Sequence, residues 1–352
     1  MHVSDNAAET PAGDAGHNSP VFSVIIVNYN GGAYLQDALD SLARQTRRDF
    51  EVIVIDNAST DGSADALDLT GLPNAQLVKN DDNLGFAAAN NLGARLASGR
   101  WLALLNPDAV AAPDWLDQVM SASRRHPDCR VFASAQYDLQ DPEIIDGAGD
   151  AYLIMGIPWR GGFGHPRTAM PGEGECFSPC GAAAIIDRQL FLNHNGFDER
   201  FFCYCEDVDL GFRFQLAGEP CWFLPNAKVY HAGSAISGVG SPFSTYHGTR
   251  NRLWTYVKNM PLPLLLLTLP MHIVLCLYLI ARNALLGRLV PTLKGNWDGL
   301  RGLPDVLSGA KWRVRERKVS IGQLARTMMW NPFRMSRRVP HVRMPVQGIQ
   351  TI

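Results

Sequence analysis

The chain has 352 residues, of which 46% are hydrophobic and 19% are charged, so it can bury a sizeable core and is neither a disordered nor a fibrous sequence. Its net charge of −2 hides an asymmetry, because residues 282–352 hold 14 Lys and Arg but three acidic residues. A basic end on an acidic body indicates an anionic partner, either a membrane or a nucleic acid. No nucleic-acid recognition motif accompanies the charge, which favours the membrane.

The beginning of the chain and its cysteines indicate a cytosolic setting. Residues 1–19 are small and polar, without the basic and apolar regions of a signal peptide, and predict a flexible tail. The seven cysteines are odd in number, scattered and without zinc-site spacing. They are therefore expected to be reduced thiols, most of them small core residues.

Repeated strand, turn and helix units are predicted over residues 20–125. Val21–Val27 is a continuous apolar run rich in β-branched residues, typical of a strand that is covered on both faces. Further strands are predicted at Glu51–Ile55, at Gln76–Lys79 and from Trp101, with a helix starting near Gly85. This order forms βαβ units, so we expect an α/β fold with a doubly wound, mostly parallel sheet.

The turn after the second strand begins at Asp56. An acid in this place accepts hydrogen bonds from a base or a ribose in nucleotide-binding α/β folds, but it can equally cap the turn that follows. The first turn has neither Gly-x-Gly-x-x-Gly nor a P-loop sequence, which speaks against a dinucleotide cofactor and against a P-loop nucleotidase. Bound phosphates would therefore need another source of positive charge, such as a divalent cation.

Asn106 and Asp108 follow the strand from Trp101, and their side chains offer oxygen atoms that could bind a metal. They are expected at the edge of the sheet where open α/β folds bind substrates and cofactors. A hard cation at this edge would stabilise the negative charge on a departing diphosphate as a Lewis acid. Asn-Pro-Asp is also an ordinary turn, so the tripeptide alone leaves both interpretations open. A second acidic cluster, Glu206 to Asp209, lies in the first turn of a predicted helix, where its spacing alone favours N-terminal capping.

Four segments, taken as an ordered set, resemble the nucleotide-binding half of the family 2 inverting glycosyltransferases with the GT-A fold. These segments are Ser23–Asn30, Val54–Gly62, Asn83–Asn91 and Leu104–Asp108. The resemblance implies an Asp-x-Asp motif that holds Mg²⁺ or Mn²⁺ on the diphosphate of the donor. Here Asn106 replaces the first acid, as in the rhamnosyltransferase branch. Asp108 is then the expected metal ligand, and the Tyr-His-x-Gly-Ser context of His231 implies that this histidine completes the metal shell.

The same resemblance implies that the downstream acidic cluster supplies the catalytic base. We expect Asp207 to be the base, with Glu206 as the alternative, and Asp209 to orient its neighbours by pairing with Arg213 one helical turn on. The small residues of Ser178–Ile186 are expected to let a sugar approach the backbone, and Gly161–Pro166 to form a mobile loop on the acceptor side. The predicted donor-binding residues are Asn28, Tyr29, Asn30, Asp56, Asn83, Gly85, Asn90, Asn106, Arg250 and Arg252, the two arginines as candidate diphosphate contacts.

The composition changes abruptly at Leu262–Ala281, an almost wholly apolar run that is long enough to cross a bilayer once. Pro263, Pro270 and His272 interrupt it, which favours a re-entrant or interfacial hairpin over a spanning helix. Basic, Trp-bearing sequence follows, with Trp297, Trp312 and Trp330 and the run at residues 311–318, and it suits anionic headgroups. The alternative is a soluble helical extension.

We therefore expect a GT-A domain with a nucleotide-sugar half (residues 20–125) and an acceptor half (residues 126–260), followed by a membrane-associating region (residues 261–352). The predicted function is the transfer of a sugar, rhamnose from dTDP-rhamnose, to a lipid-linked or cell-surface glycan at the cytoplasmic face of the membrane. Two alternatives remain at this point. One is a transferase of UDP-hexose or UDP-N-acetylhexosamine, and the other is a catalytically silent scaffold that binds nucleotide-sugars.

Overall fold

The computed structural model describes residues 19–65, 67–233, 238, 240–308 and 317–344. Its strands are β1 (Phe22–Asn28), β2 (Phe50–Asp56), β3 (Ala75–Lys79), β4 (Trp101–Leu104), β5 (Ala109–Ala111), β6 (Val131–Asp138), β7 (Ile145–Ala148), β8 (Asp150–Leu153), β9 (Ile157–Arg160), β10 (Gly174–Cys176), β11 (Ala184–Asp187) and β12 (Cys221–His231). Its helices are α1 (Ala33–Ala43), α2 (Gly85–Leu96), α3 (Trp115–Arg125), α4 (Arg188–Asn193), α5 (Glu206–Ala217), α6 (Pro242–Asn259), α7 (Leu262–Leu285), α8 (Leu289–Arg301), α9 (Leu303–Ser308), α10 (Ile321–Thr327) and α11 (Pro332–Ser336).

The central sheet is mixed, and its first half has the predicted parallel arrangement. The strand order is β10-β12-β6-β11-β4-β1-β2-β3, and β1 is parallel to both β2 and β4. β11 runs antiparallel between β4 and β6, while β12 is parallel to β6. Asn28 is paired in register with Asp56, so the carboxyl ends of the first two strands lie side by side. The predicted mostly parallel α/β fold is confirmed.

Both faces of β1 and β2 are covered, which explains why every residue of these strands is buried. Val24 and Ile26 pack with α1 on one face, while Ile25 and Val27 pack with the small residues of α2 on the other. The close approach of α2 requires Gly93, because a Cβ atom there would lie 2.6 Å from Cγ2 of Ile25. An apolar run without alternation therefore forms a central strand.

Residues 126–174, for which no strand was predicted, contain the four strands β6 to β9 and contribute to the core. β6 and β7 pair in the main sheet, and β8 and β9 form an antiparallel hairpin. Tyr152 of β8 stacks on Phe177 with ring centroids 4.9 Å apart. The loop at Gly161–Pro166 is tied to the C-terminal segment, since Gly162 N donates to Arg338 O at 2.7 Å.

The apolar segment is a single helix, α7, and not the interrupted one that its prolines suggested. Pro270 removes one backbone donor within the helix but lies on its exposed side. Among the described residues, α7 is the one helix that is long and apolar enough to cross a membrane by length and composition alone, with a mean hydropathy of 2.4. The predicted tail at residues 1–18 and the basic run at residues 311–316, with Trp312, lie outside the described residues.

Helix α8 follows α7 after a short turn and packs on α6 through small residues. A Cβ atom at Gly295 would lie 2.7 Å from the carbonyl oxygen of Tyr246, so the two helix backbones are in close contact. The later C-terminal segment returns to the body of the protein, where Met329 N donates to Tyr152 O at 2.8 Å. The apolar helix is thus anchored on both sides by helices that pack against the catalytic body.

Candidate active site

A cleft opens at the carboxyl ends of the parallel strands and holds about 1060 Å³ of empty space, including its open mouth. Its walls come from the turns after β1, β2 and β4, from the end of β12 and from the beginning of α5. Its lining residues lie as far apart in the chain as Val27 and Phe243. The predicted site residues that line it are Tyr29, Asn83, Gly85, Asn106, Asp108, Glu206, Asp207 and His231.

Asp108 and His231 meet because β5, which follows Asp108, pairs antiparallel with the end of β12. Asp108 Oδ1 lies 3.2 Å from His231 Nε2, and both residues are almost completely buried. The amide nitrogen of Asn106 lies 3.3 Å from the same histidine nitrogen. The three residues that the sequence connected with a metal therefore form one cluster.

A second layer of charge, which the sequence did not predict, supports this cluster. Asp146 Oδ2 lies 2.8 Å from His231 Nδ1 and 2.6 Å from a terminal nitrogen of Arg160. Burial raises the pKa of Asp146, but the charges of Arg160 and His231 outweigh it and leave the pKa below its ordinary value. Asp146 is thus ionised and fixes the orientation of the imidazole.

The cluster fits a divalent cation by its chemistry. When Nδ1 of His231 donates its proton to Asp146, Nε2 of the neutral ring carries a lone pair that faces the Asp108 carboxylate. Two hydrogen-bond acceptors in contact need a proton or a cation between them. Without a cation the proton takes this role: burial lowers the pKa of His231, but its hydrogen bonds to Asp108 and Asp146 raise it above the ordinary value. The separation of 3.2 Å also suits two adjacent ligands of Mg²⁺, which for bonds of about 2.1 Å lie about 3.0 Å apart.

A different group of potential ligands, Asp150, Cys180 and Asp207, has its ligand atoms within 4.8 Å of one another. Burial raises the pKa of the Cys180 thiol to about 12, so this thiol keeps its proton. Both oxygens of Asp207 accept backbone hydrogen bonds, from Gly181 N and Val208 N, each at 2.8 Å. Hard cations select ionised oxygen ligands, so this group is a weaker candidate than Asp108 with His231.

Asp207 and Glu206 lie at the start of α5 and line the same cleft as Asp108. Three residues before the helix, Phe202, Tyr204 and Cys205, have positive φ angles and turn the chain into the cleft. Burial raises the pKa of Asp207, although two backbone N–H groups favour its ionised form. Glu206 is 4% exposed and its Oε2 has no hydrogen-bond partner among the described residues, so burial and the neighbouring Asp207 raise its pKa well above the ordinary value.

Asp209, the third acid of the motif, points into the core instead. Its carboxylate accepts hydrogen bonds from Arg213 Nε at 3.0 Å, from Lys258 Nζ at 2.8 Å and from Asn259 Nδ2 at 2.7 Å. The expected pairing of Asp209 with Arg213 is therefore present. The motif divides into two acids that line the cleft and one that holds α5 against α6.

On the nucleotide side, Asn28 and Asp56 are engaged with each other and with the turn. Asn28 Nδ2 donates to Asp56 Oδ1 at 2.8 Å, and Ser59 Oγ donates to the same oxygen at 2.6 Å. Asn30 accepts from Thr60 N at 2.8 Å. These side chains therefore stabilise the turn, as expected for capping residues. Asn57, which was not predicted, lines the cleft.

Six predicted donor-binding residues do not line the cleft: Asn28, Asn30 and Asp56, which build the loop, and Asn90, Arg250 and Arg252, which lie on helices. Asn90 is buried and donates to Phe86 O at 2.9 Å. Arg250 packs over the ring of Trp254 and donates to Phe201 O at 2.9 Å. Arg252 lines a separate cavity. The periodicity of the sequence could not show which of these side chains face the cleft, because that depends on how α2 and α6 pack against the sheet.

Arg160 and Cys180 also line the cleft, although neither was among the predicted site residues. Arg160 arrives on the β8–β9 hairpin, and its salt bridge to Asp146 is formed across 14 residues of chain. Cys180 lies in a small-residue turn that was expected to lie near a sugar.

Comparisons with known proteins identify the family and the fold of the chain. The sequence model of glycosyl transferase family 2 matches residues 23–192. An N-acetylglucosaminyl-diphospho-decaprenol L-rhamnosyltransferase from Mycobacterium tuberculosis is 32% identical over 246 residues, which are 62% of this chain and 78% of the relative. Validoxylamine A glucosyltransferase from Streptomyces hygroscopicus subsp. limoneus is 31% identical over 240 residues, which are 61% of this chain and 52% of that protein.

Two solved structures share the fold. Mannosyltransferase PcManGT from Pyrobaculum calidifontis, in complex with GDP-Man and Mn²⁺, has a TM-score of 0.52 at 18% identity, over 88% of this chain and 86% of its own. S. aureus TarS 1-349, in complex with UDP-GlcNAc, has a TM-score of 0.52 at 16% identity, over 90% and 92%. With these findings the chain belongs to glycosyl transferase family 2, in its rhamnosyltransferase-like branch, and is a glycosyltransferase with the GT-A fold.

Proposed function

We propose that this enzyme is a metal-dependent inverting transferase that moves L-rhamnose from dTDP-rhamnose to a lipid-linked glycan. The observation that carries the proposal is that two different groups line one cleft. Asp108 and His231 form the end that suits a cation and a diphosphate, and Asp207 forms the end that suits a base. The M. tuberculosis relative, whose name specifies a lipid-linked N-acetylglucosamine acceptor and an L-rhamnosyl donor, supports this choice of substrates.

Asp108 and His231 would hold Mg²⁺ or Mn²⁺, which supplies charge stabilisation for the departing diphosphate. Asp146 keeps the imidazole oriented, and the remaining ligands come from phosphate oxygens and water. The asparagine at 106 leaves the site with one carboxylate. Metal binding is therefore expected to depend on the donor diphosphate more than in a site with two acids.

Asp207 would accept the proton of the acceptor hydroxyl while the oxygen of that hydroxyl attacks the anomeric carbon. The bond from that carbon to the diphosphate breaks, and the nucleoside diphosphate leaves with the electron pair on the opposite face. Asp207 suits this role better than Glu206 because backbone N–H groups of Gly181 and Val208 stabilise its ionised form. Glu206 has no such donor on Oε2.

A lipid-linked acceptor requires access to a membrane surface, and we propose that α7 and α8 provide it at the cytoplasmic face. Leu266, Val274 and Leu277 on α7 are each about 60–66% exposed, and Trp297 on α8 is 67% exposed. Arg282, Arg288, Lys294 and Arg301 lie on or between the same helices and suit anionic headgroups. The arrangement fits a peripheral or monotopic contact.

The donor is tested by incubating the full chain with dTDP-, UDP- and GDP-sugars and a short-chain lipid-diphosphate N-acetylglucosamine, with and without a chelator. We expect acceptor-dependent release of dTDP from dTDP-rhamnose, loss of this release with the chelator, and its return with Mn²⁺ or Mg²⁺. Turnover of UDP-sugars instead would establish the alternative donor. Nucleotide binding without any turnover would establish the silent scaffold and refute the proposal.

The membrane contact is tested by vesicle flotation with the combined substitution Leu266→Gln, Val274→Gln and Leu277→Gln. These side chains are exposed, so the fold is expected to survive while binding to vesicles with phosphatidylglycerol is lost. Leu96→Gln, at an exposed leucine of α2, is the matched control. Undiminished flotation of the triple variant would refute a role for α7.

A further inference from the structure

A second cavity, here called the α6 cavity, adjoins the catalytic cleft. It holds about 630 Å³ of empty space, including its opening, and lies between α6, the β8–β9 hairpin and the last turns of α7. α6 contributes Thr245, Gly248, Thr249 and Arg252 to its wall. Cys205 lines both this cavity and the cleft, so the two spaces are neighbours.

The α6 cavity has a mixed lining with a positive charge. Arg252 is the charged residue among those that line it, and none of the described lining residues is acidic. Nε of Arg252 is buried and has no hydrogen-bond partner among the described residues. Arg252 lines the cavity, so an anion bound there would be attracted by its positive charge. The planar guanidinium is well suited to phosphate oxygens, with the threonine hydroxyls as additional donors.

The position of the cavity indicates which anion it takes. On one side, Cys205 directly precedes Glu206 and Asp207, the acids of the cleft. On the other side, Asn283 belongs to the apolar helix α7, whose exposed face we assign to the membrane. A molecule that spans this path meets apolar surface, then positive charge, then the base. This order is that of a lipid tail, a phosphate group and a sugar hydroxyl.

We propose that the α6 cavity binds the diphosphate of the lipid-linked acceptor, with Arg252 as its counter-ion. The inference rests on the proposed function for the nature of the acceptor, but anion binding by the cavity is independent of it. The sequence assigned Arg252 to the donor site, and the proposal assigns it to the acceptor site.

Gly248 offers a way to fill the cavity without disturbing the fold. A Cβ atom at this position would have no heavy atom within 4 Å, and the residue lies inside α6 without a positive φ angle. Gly248→Glu places a carboxylate one helical turn before Arg252 and supplies the cavity with an internal anion. Gly248→Ala leaves the cavity open, and Gly322→Glu makes the same change at an exposed helical glycine elsewhere.

The kinetic test compares two acceptors in the full chain, an alkyl-diphosphate N-acetylglucosamine and the alkyl glycoside of the same sugar without phosphate. For Arg252→Gln and Gly248→Glu we expect KM of the diphosphate acceptor to rise about tenfold or more, as for a lost hydrogen bond to a charged group. KM of the donor and kcat/KM of the phosphate-free acceptor stay unchanged. The two control variants behave as the wild type. Unchanged KM for the diphosphate acceptor in both cavity variants would overturn the proposal.

A binding test separates this inference from the proposed function. With the cleft saturated by dTDP or UDP, inorganic pyrophosphate is titrated calorimetrically into the wild type and into Arg252→Gln. Binding in the wild type and its loss in the variant support the anion site even if no sugar transfer is detected. Equal binding in both proteins overturns it. Vesicles of phosphatidylglycerol that displace pyrophosphate, when the alkyl-diphosphate sugar does not, would assign the cavity to a lipid headgroup and overturn the acceptor assignment.

Discussion

Replacement of Asp207 by Asn tests the chemical role of the cleft most directly. The carboxylate accepts two backbone hydrogen bonds, from Gly181 N and from Val208 N, each at 2.8 Å. An asparagine side chain of the same size can accept one of them, while its NH₂ group must face the other donor. The substitution therefore removes the base and one hydrogen bond but leaves the shape of the cleft intact.

The two effects differ greatly in size. A general base contributes about 10²–10⁴-fold to the rate, so the barrier to transfer should rise by about 3–5 kcal/mol. The unpaired backbone donor costs about 1–3 kcal/mol of stability, and part of this cost is offset because a buried charge is also removed. Asp207 is assigned to the acceptor hydroxyl, and Asp108 and His231 are assigned to the diphosphate, so binding of the nucleoside diphosphate should not change.

The assay measures acceptor-dependent release of the nucleoside diphosphate, with the dissociation constant of the same nucleotide determined by calorimetry. We expect kcat to fall by at least about 100-fold at an unchanged dissociation constant. Asp65→Asn is the matched control, since it makes the same chemical change at an exposed acid outside the cleft. A kcat within a few-fold of the wild type would refute the base assignment, and lost nucleotide binding would show that Asp207 belongs to the donor site.

Three further predictions concern the groups around this base. Asp146→Ala removes the acceptor for Nδ1 of His231, so the affinity for Mn²⁺ measured in the presence of donor nucleotide should fall about 10–100-fold, and an unchanged affinity would exclude the orienting role. Because burial raises the pKa of Asp207 above 3.8 and a base works only when ionised, kcat/KM should be lost as the pH falls through that raised pKa. An acid limb at or below pH 3.8 in the pH profile would contradict this prediction. Asp209→Asn leaves Lys258 facing an amide in the core. The free energy of unfolding measured by urea titration should therefore fall by about 3–5 kcal/mol. A loss below about 1 kcal/mol would show that Asp198, the second partner of Lys258, compensates.

The sequence predicted the first half of the fold well because local patterns control it. Apolar runs such as Val24–Val27 and turns rich in small polar residues fix the βαβ units, and parallel pairing then brings the strand ends to one edge. The prediction that Asp108 and His231 act together came from the resemblance to the family. It agrees with their contact at 3.2 Å.

The second half could not be read in the same way, because its contacts join residues that are distant in the chain. The salt bridge of Arg160 with Asp146 depends on a hairpin without a clear alternating pattern. Spacing alone could not show that Asp209 is a core residue while Asp207 lines the cleft, since both lie in the first turn of α5.

The sequence by itself determined the family, the parallel core and the set of acids available for catalysis, because motif order and apolar periodicity are local properties. Only the tertiary structure decided which of these acids face the cleft, that Asp146 supports His231, and that Arg252 lies in a separate cavity. Burial and charge pairing are properties of the packed chain. They are set by how α5, α6 and the β8–β9 hairpin approach the sheet, and no spacing along the sequence specifies that approach.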